Sequence, residues 1–350
     1  MTDLLPHAGS VGTTKPMLDL FSVPPTDLSI SSYRMVPIQT FTTGINPVEF
    51  QVDPQEDYVD LSRSYFELEL TLKKNDANNV AAADNLFPVN NLAHSLFKQI
   101  SVRLNGTLIS PQTDTYHYKA YLETLLNYDR VDGETVLKPQ GWYNGIDLPA
   151  TLTANNADTA ANAGAGHNDF QRLSTNQQAN VKLMKEEQAN YTEGKTHVLR
   201  FRPHIEVFHL NKLLVPSVQI GIQMYFNQPD LFLNGVALHG RLTAADIKVK
   251  LYLCQVRINP SLYRELMETM YSGKVVSYAT VRSEIRTFNM QGDQQHFECS
   301  NPFQNRIPNL VIVALVTSTA FNGTVTQDPF AFQKFGLSSI KQLMRGEEYP

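Results

Sequence analysis

Patterns that carry chemistry are scarce in this 350-residue chain. It has two cysteines, Cys254 and Cys299, and no Cys-x-x-Cys spacing. That excludes a disulfide framework and a thiolate zinc knuckle, and both thiols are expected to be small buried groups of a reducing compartment. Charge is thin: 18% of residues are Asp, Glu, Lys or Arg, with a net charge of −5. This argues against a surface that coats nucleic acid throughout. The longest apolar run, Leu310–Val316, falls far short of the ~20 residues that a membrane-spanning helix needs, so no membrane span is expected. The first sixteen residues have neither the basic flank nor the apolar centre of a secretory leader. The Asn-x-Thr triplets at Asn105, Asn190 and Asn322 are therefore expected to be chance. There is no nucleophile elbow and no Ser/His/Asp or metal-cluster signature, so no enzyme, cofactor, metal or catalytic residue is expected.

What is present is β pattern. At 42% hydrophobic the chain can bury sizeable cores, and its length suits two domains. Residues 1–44 mix Gly, Pro, Ser and Thr with isolated apolar anchors at Leu18, Leu20, Phe21 and Val23, the composition of an extended arm. Val48, Phe50 and Val52 then alternate. Phe66, Leu68, Leu70 and Leu72 face one way and Glu67, Glu69 and Thr71 the other, which suits an antiparallel sandwich with one wet face. Ile100, Val102 and Leu104 run into Asn105-Gly106, a strong hairpin signal. From Thr115, placed to cap, the period becomes helical through Tyr118, Tyr121, Leu122, Leu125 and Leu126. Residues 149–169 are almost free of large apolar groups and are expected to be an exposed loop. A helical stretch is possible over Lys182–Asn190. Strands are expected over His197–Phe201, Val218–Met224 and Ile247–Ile258. In the last of these the apolar parity switches after Leu253, which predicts a bulge. Ser261–Tyr271 reads as a helical connector ended by Gly273.

The pattern then recurs. Phe288 to Phe297 parallels Phe50 to Tyr58, Leu310–Val316 parallels Phe66–Leu72, and Ile340 to Gly346 parallels Ile100 to Gly106. The offset is 238 at the first element, 244 at the second and 240 at the third. A near-constant offset across three elements indicates an internal repeat. The predicted division is an arm over 1–44, a first sandwich over 45–258, a connector over 259–280, and the opening part of a second sandwich over 281–350. By this register the second copy stops at its hairpin, and either a longer version of this protein or another chain is expected to complete it.

Long segments carry a family resemblance. Asp19–Ile30, Tyr58–Leu70, Val89–Tyr128 and Ala320–Pro350 are similar to the major capsid protein of Polinton (Maverick) elements and adintoviruses. Asp328-Pro329 and Lys341–Arg345 depart from that family's usual residues. The resemblance implies an all-β double jelly roll whose second roll is incomplete at Pro350. It implies a structural subunit that forms homotrimeric capsomers tiling an icosahedral virion shell, alongside penton or minor capsid proteins and made in the host cell. On that reading the basic residues Lys182, Lys185, Lys195, Arg200 and Arg202 would touch packaged DNA weakly and without sequence preference, though a solvated or subunit-facing patch suits the acidic net charge better.

Three rival patterns remain. Ala189 to Thr196, ending Gly194-Lys195-Thr196, is a relaxed phosphate-loop match, but it lacks a strand before it and a helix after it. His204, Glu206 and His209 are spaced H-x-E-x-x-H, one residue too far apart for a helical zinc pair. Trp142, Tyr143 and the Tyr-rich helix would line a shallow site if the chain were instead a spike or a lectin-like jelly roll binding a glycan or receptor.

Overall fold

The computed structural model describes residues 27–145, 174–235, 239–303 and 307–349, apart from positions 43, 45, 82, 85, 111, 112, 293, 345 and 346. The 149–169 loop and the anchors at Leu18–Val23 lie outside the described residues. In chain order the strands are β1 (Ile30–Ile38), β2 (Val48–Val52), β3 (Tyr58–Leu70), β4 (Lys73–Lys74), β5 (Leu86–Pro88), β6 (Phe97–Leu104) and β7 (Thr107–Leu108). They continue with β8 (His197–Phe201), β9 (Ile220–Phe226), β10 (Leu233–Gly235), β11 (Gly240–Arg241), β12 (Ile247–Ile258), β13 (Gln342–Met344) and β14 (Glu347–Tyr349). Helices are short: α1 (Leu92–Ser95), α2 (Tyr116–Asn127), α3 (Arg130–Glu134), α4 (Thr175–Ala189), α5 (Pro229–Phe232), α6 (Pro260–Tyr271) and α7 (Ser318–Asn322).

Eight of these strands make two four-stranded antiparallel sheets, ordered β1-β12-β3-β8 and β2-β9-β6-β7. Numbered among themselves, the eight run 1-8-3-6 in one sheet and 2-7-4-5 in the other. Every hop crosses between sheets except the β6–β7 hairpin. This is the interleaved Greek-key order of a jelly roll. Period-two alternation places Phe66, Leu68 and Leu70 of β3 and Ile247, Val249 and Leu251 of β12 inward, against Val48, Phe50, Ile100, Val102, Ile222 and Met224 of the facing sheet. Phe50 and Phe66 meet across the gap edge to face, 5.4 Å apart. The bulge in β12 lies where the parity switch predicts it, between Tyr252 and Cys254.

The β6–β7 turn uses Asn105 and Gly106, both at positive φ (48° and 78°), as a two-residue hairpin requires. Helix α2 follows, and its inner face is aromatic: Tyr116, Tyr118 and Tyr121 are buried. Two expectations fail here. Thr115 stands at the cap position, but its hydroxyl makes no cap bond. Leu125 and Leu126 are exposed, because the last turn of α2 runs out past the core. Helix α4 begins earlier than its charged half suggested, at a reciprocal cap between Ser174 and Gln177.

The arm is also more structured than its composition implies. Its second half is strand β1, paired with β12 over eight residue pairs. Pro37 is tolerated because β1 is an edge strand with one side of its ladder unused. The first roll therefore begins at Ile30, not at residue 45.

Downstream of α6 the picture changes. No described residue between 274 and 317 is in a helix or strand. Leu310–Val316 forms no strand ladder, since no described strand lies beside it to take its backbone hydrogen bonds. The hairpin of the repeat does form. Met344 pairs with Glu347 as Leu104 pairs with Thr107, the same register displaced by 240 residues.

Candidate functional site

The densest collection of titratable side chains lies under α2, where the H-x-E-x-x-H residues arrive on the turn after β8. His204 is fixed on both ring nitrogens, Nδ1 2.9 Å from Glu123 Oε2 and Nε2 3.1 Å from Thr124 Oγ1. Glu206 instead turns to Lys119, with Nζ 2.7 Å from its Oε1. The exposed His209 ring is 5.8 Å from that of His204. The sequence pattern missed His94, which is fully buried with its ring 4.8 Å from His204. Its nitrogens meet Tyr116 Oη at 2.9 Å and Gln140 Oε1 at 3.4 Å.

Most of this network is satisfied by its own members, but Gln140 Nε2 is buried without a hydrogen-bond partner. Burial holds the His94 imidazole well below its ordinary value, aided by the neighbouring His204 and His209, so it is neutral at pH 7. Burial alone would raise Glu123, but the His204 bond and the Lys119 charge outweigh it and hold the carboxyl below the usual range. Among the described residues no group of three or more His, Cys, Asp or Glu is placed to hold a metal ion. A cavity of about 20 Å³ touches Ile100, Ser110, Tyr116, Lys119 and His204, room for one water. Chemically the arrangement is a buried ionic rivet. It joins α2 to the β8 turn, and Ser283 N–H donates to Glu206 Oε1 at 3.3 Å, so the downstream chain is tied to it as well.

The other large feature is apolar surface. Val275, Val281, Phe288, Ile307, Leu310, Ile312 and Val313 are all exposed, within one stretch of the downstream chain. The described residues leave this stretch largely uncovered.

The chain is similar to viral major capsid proteins. It matches the mavirus major capsid protein at 13% identity over 73% of this chain and 54% of that one, TM-score 0.38. A chain of the Sputnik virophage matches at 12% identity over 74% and 55%, TM-score 0.38. The faustovirus major capsid protein matches at 9% identity over 72% and 58%, TM-score 0.36. The chain thus spans a little over half the length of these solved proteins. In sequence it is 23% identical over 332 residues to an uncharacterised protein of Caenorhabditis elegans, covering 91% of this chain and 71% of that protein. No family profile matches the chain.

The remaining sequence candidates fall as follows. At Gly194-Lys195-Thr196 the flanking elements are reversed from a phosphate loop: helix α4 precedes and strand β8 follows. Lys195 Nζ turns back to the carbonyl of Ala189 at 3.2 Å. Three of the basic residues are engaged locally: Arg200 with Glu67 at 2.8 Å, Arg202 with the Ser62 carbonyl at 2.8 Å, and Lys185 over the Phe87 ring at 5.3 Å. Trp142 and Tyr143 are buried, not exposed, so they line no shallow site. Trp142 packs on Tyr121 and donates from Nε1 to Asn144 Oδ1 at 3.1 Å. Cys254 is buried and Cys299 half-buried, both free thiols. Sequence reasoning also missed Asp328, a carboxylate inside the protein next to a row of aromatics. The Phe-rich spacing of Phe321, Phe330 and Phe332 was the available signal.

Proposed function

We propose that this chain is a structural shell subunit, a major capsid protein whose work is self-association. The observation that carries the reading is a jelly-roll sandwich followed, in the same chain, by a second hairpin in the same register 240 residues on. The resemblance of long segments to Polinton and adintovirus capsid proteins supports it, as does the exposed apolar stretch. On this reading the rolls supply rigid walls. Three copies join through heterologous contacts into a capsomer, capsomers tile an icosahedral virion shell, and penton or minor capsid proteins occupy its special positions. Contact with packaged DNA would be weak, through phosphates alone. The chain would carry out no catalysis.

Sedimentation velocity with negative-stain microscopy tests this. The expected outcome is a species well above 39.4 kDa, trimers or larger closed particles, at micromolar concentration. A strict monomer at every salt and pH would overturn it.

A further inference from the structure

The region from Thr317 to Phe332 lies far along the chain from helix α2, yet it is seated on it. Phe330 stacks on Tyr121 with ring centroids 4.2 Å apart and planes 4° apart, and meets Tyr118 edge-on at 5.7 Å. Phe321 stacks on Tyr118 at 5.4 Å and 7°. Phe332 reaches both tyrosines at about 6 Å. Gly323, at φ +90°, lies so close over Leu231 that an added Cβ would be 3.2 Å from that side chain. The Gly235 N–H donates to the Val325 carbonyl at 2.5 Å.

Beneath this aromatic seat is Asp328, buried with little to neutralise it. One oxygen accepts from the Phe330 N–H at 2.7 Å and the other from Asn234 Nδ2 at 3.1 Å. No cation is paired with it among the described ion pairs. Asn234 is fully buried as well, and its Oδ1 is without a hydrogen-bond partner, as is the Tyr118 hydroxyl. The ionised carboxylate can only accept. A protonated one can donate to the orphaned Asn234 oxygen once that amide rotates. Either form can thus keep its bond to Asn234, and burial without a paired cation favours the uncharged one.

We propose that Thr317–Phe332 is a proton-responsive latch, which seats the downstream chain on helix α2 and is held more tightly when Asp328 is protonated. Burial pushes this carboxyl up to about 6, against the two hydrogen bonds that favour its charge. The groups facing it are Tyr118 and Tyr121 from α2 and Tyr143 from the segment after α3, all pushed up by burial and uncharged. His117, beside Phe330, is held at about 3 and stays neutral. The Asp230–His239 pair beside α5 is solvent-exposed.

The sign follows. The seated carboxyl binds its proton more strongly than a free one at 3.8. Seating is therefore tightest below about pH 4, weakens as pH rises toward 6, and is level above that. A shift of about two pKa units corresponds to roughly a hundredfold change in the latch equilibrium.

Hydrogen exchange of peptides within 317–332, corrected for intrinsic exchange rates, tests it on the whole chain. The opening constant is expected to rise tens of fold between about pH 4.5 and pH 7 in the wild type, and to stay low and flat in Asp328→Asn. A flat wild-type profile, or an unchanged slope in the variant, overturns the proposal. The wild type alone also decides it: a midpoint near 6 supports the latch, and a midpoint at or below about 4 overturns it whether or not the variant folds.

Discussion

Phe50 and Phe288 occupy equivalent places in the two halves of the repeat, and their surroundings could hardly differ more. Phe50 is 1% exposed, clamped between sheets, and Phe288 is 51% exposed. Leu310–Val316 matches the inward residues of β3 in character, yet most of it faces solvent while Phe66, Leu68 and Leu70 show none of their surface. The two halves share a pattern and differ in company. A strand is stabilised by the neighbour that accepts its backbone bonds and by the sheet that covers its apolar face. The first half supplies both to itself. Among the described residues the strand pairing of the second half is that of its hairpin, whose bonds are local.

The contrast can be broken most forcefully at its buried end. Phe66→Ala should cost about 3–5 kcal/mol in a urea titration, because it opens a cavity that touches Phe50, Phe201 and Phe208. Lys119→Met, which leaves Glu206 buried without its cation, should cost about 3 kcal/mol by the same measurement. Acid should act in the same direction. His94 is held well below its ordinary value and His117 at about 3, so the unfolded chain binds more protons than the folded one below pH ~6.5. Stability from these two groups is complete above that pH and is lost as pH falls. Urea midpoints at pH 7.5 and pH 5 should show the decline, and an equal or higher midpoint at pH 5 would contradict it. Gly106→Ala, at φ 78°, should cost about 1 kcal/mol. At the exposed end, Phe288→Ala should change stability by less than about 0.5 kcal/mol. If it instead matches Phe66→Ala, the halves are equivalent in solution and the contrast dissolves.

How much of this was legible in the sequence depended on how local its causes are. The Asn105-Gly106 turn, the β12 bulge and the stop of α6 before Gly273 follow from a few adjacent residues, and each stands where the pattern places it. Strand β1 was hidden because its reason for being a strand is β12, at the far end of the roll. Trp142 looked exposed among Gly and Pro, and its burial is decided by Tyr121. The H-x-E-x-x-H residues were visible as a motif, but their partners Glu123, Thr124 and Lys119 sit on a helix some eighty residues earlier. Asp328 is the clearest case. In sequence it is an aspartate before a proline, a solvated turn by any local rule. Only Asn234 and the α2 tyrosines make it an interior group.

Strand β1 also has a bearing on how the chain is made. Arg34 on that strand meets Gln255, 221 residues later. At ribosomal speeds of roughly 5–20 residues per second, β1 emerges on the order of ten to forty seconds before the strand it pairs with. During that interval β12 and half the wall opposite it do not yet exist. Closure of the roll is therefore a late event in synthesis, rate-limited by translation rather than by search.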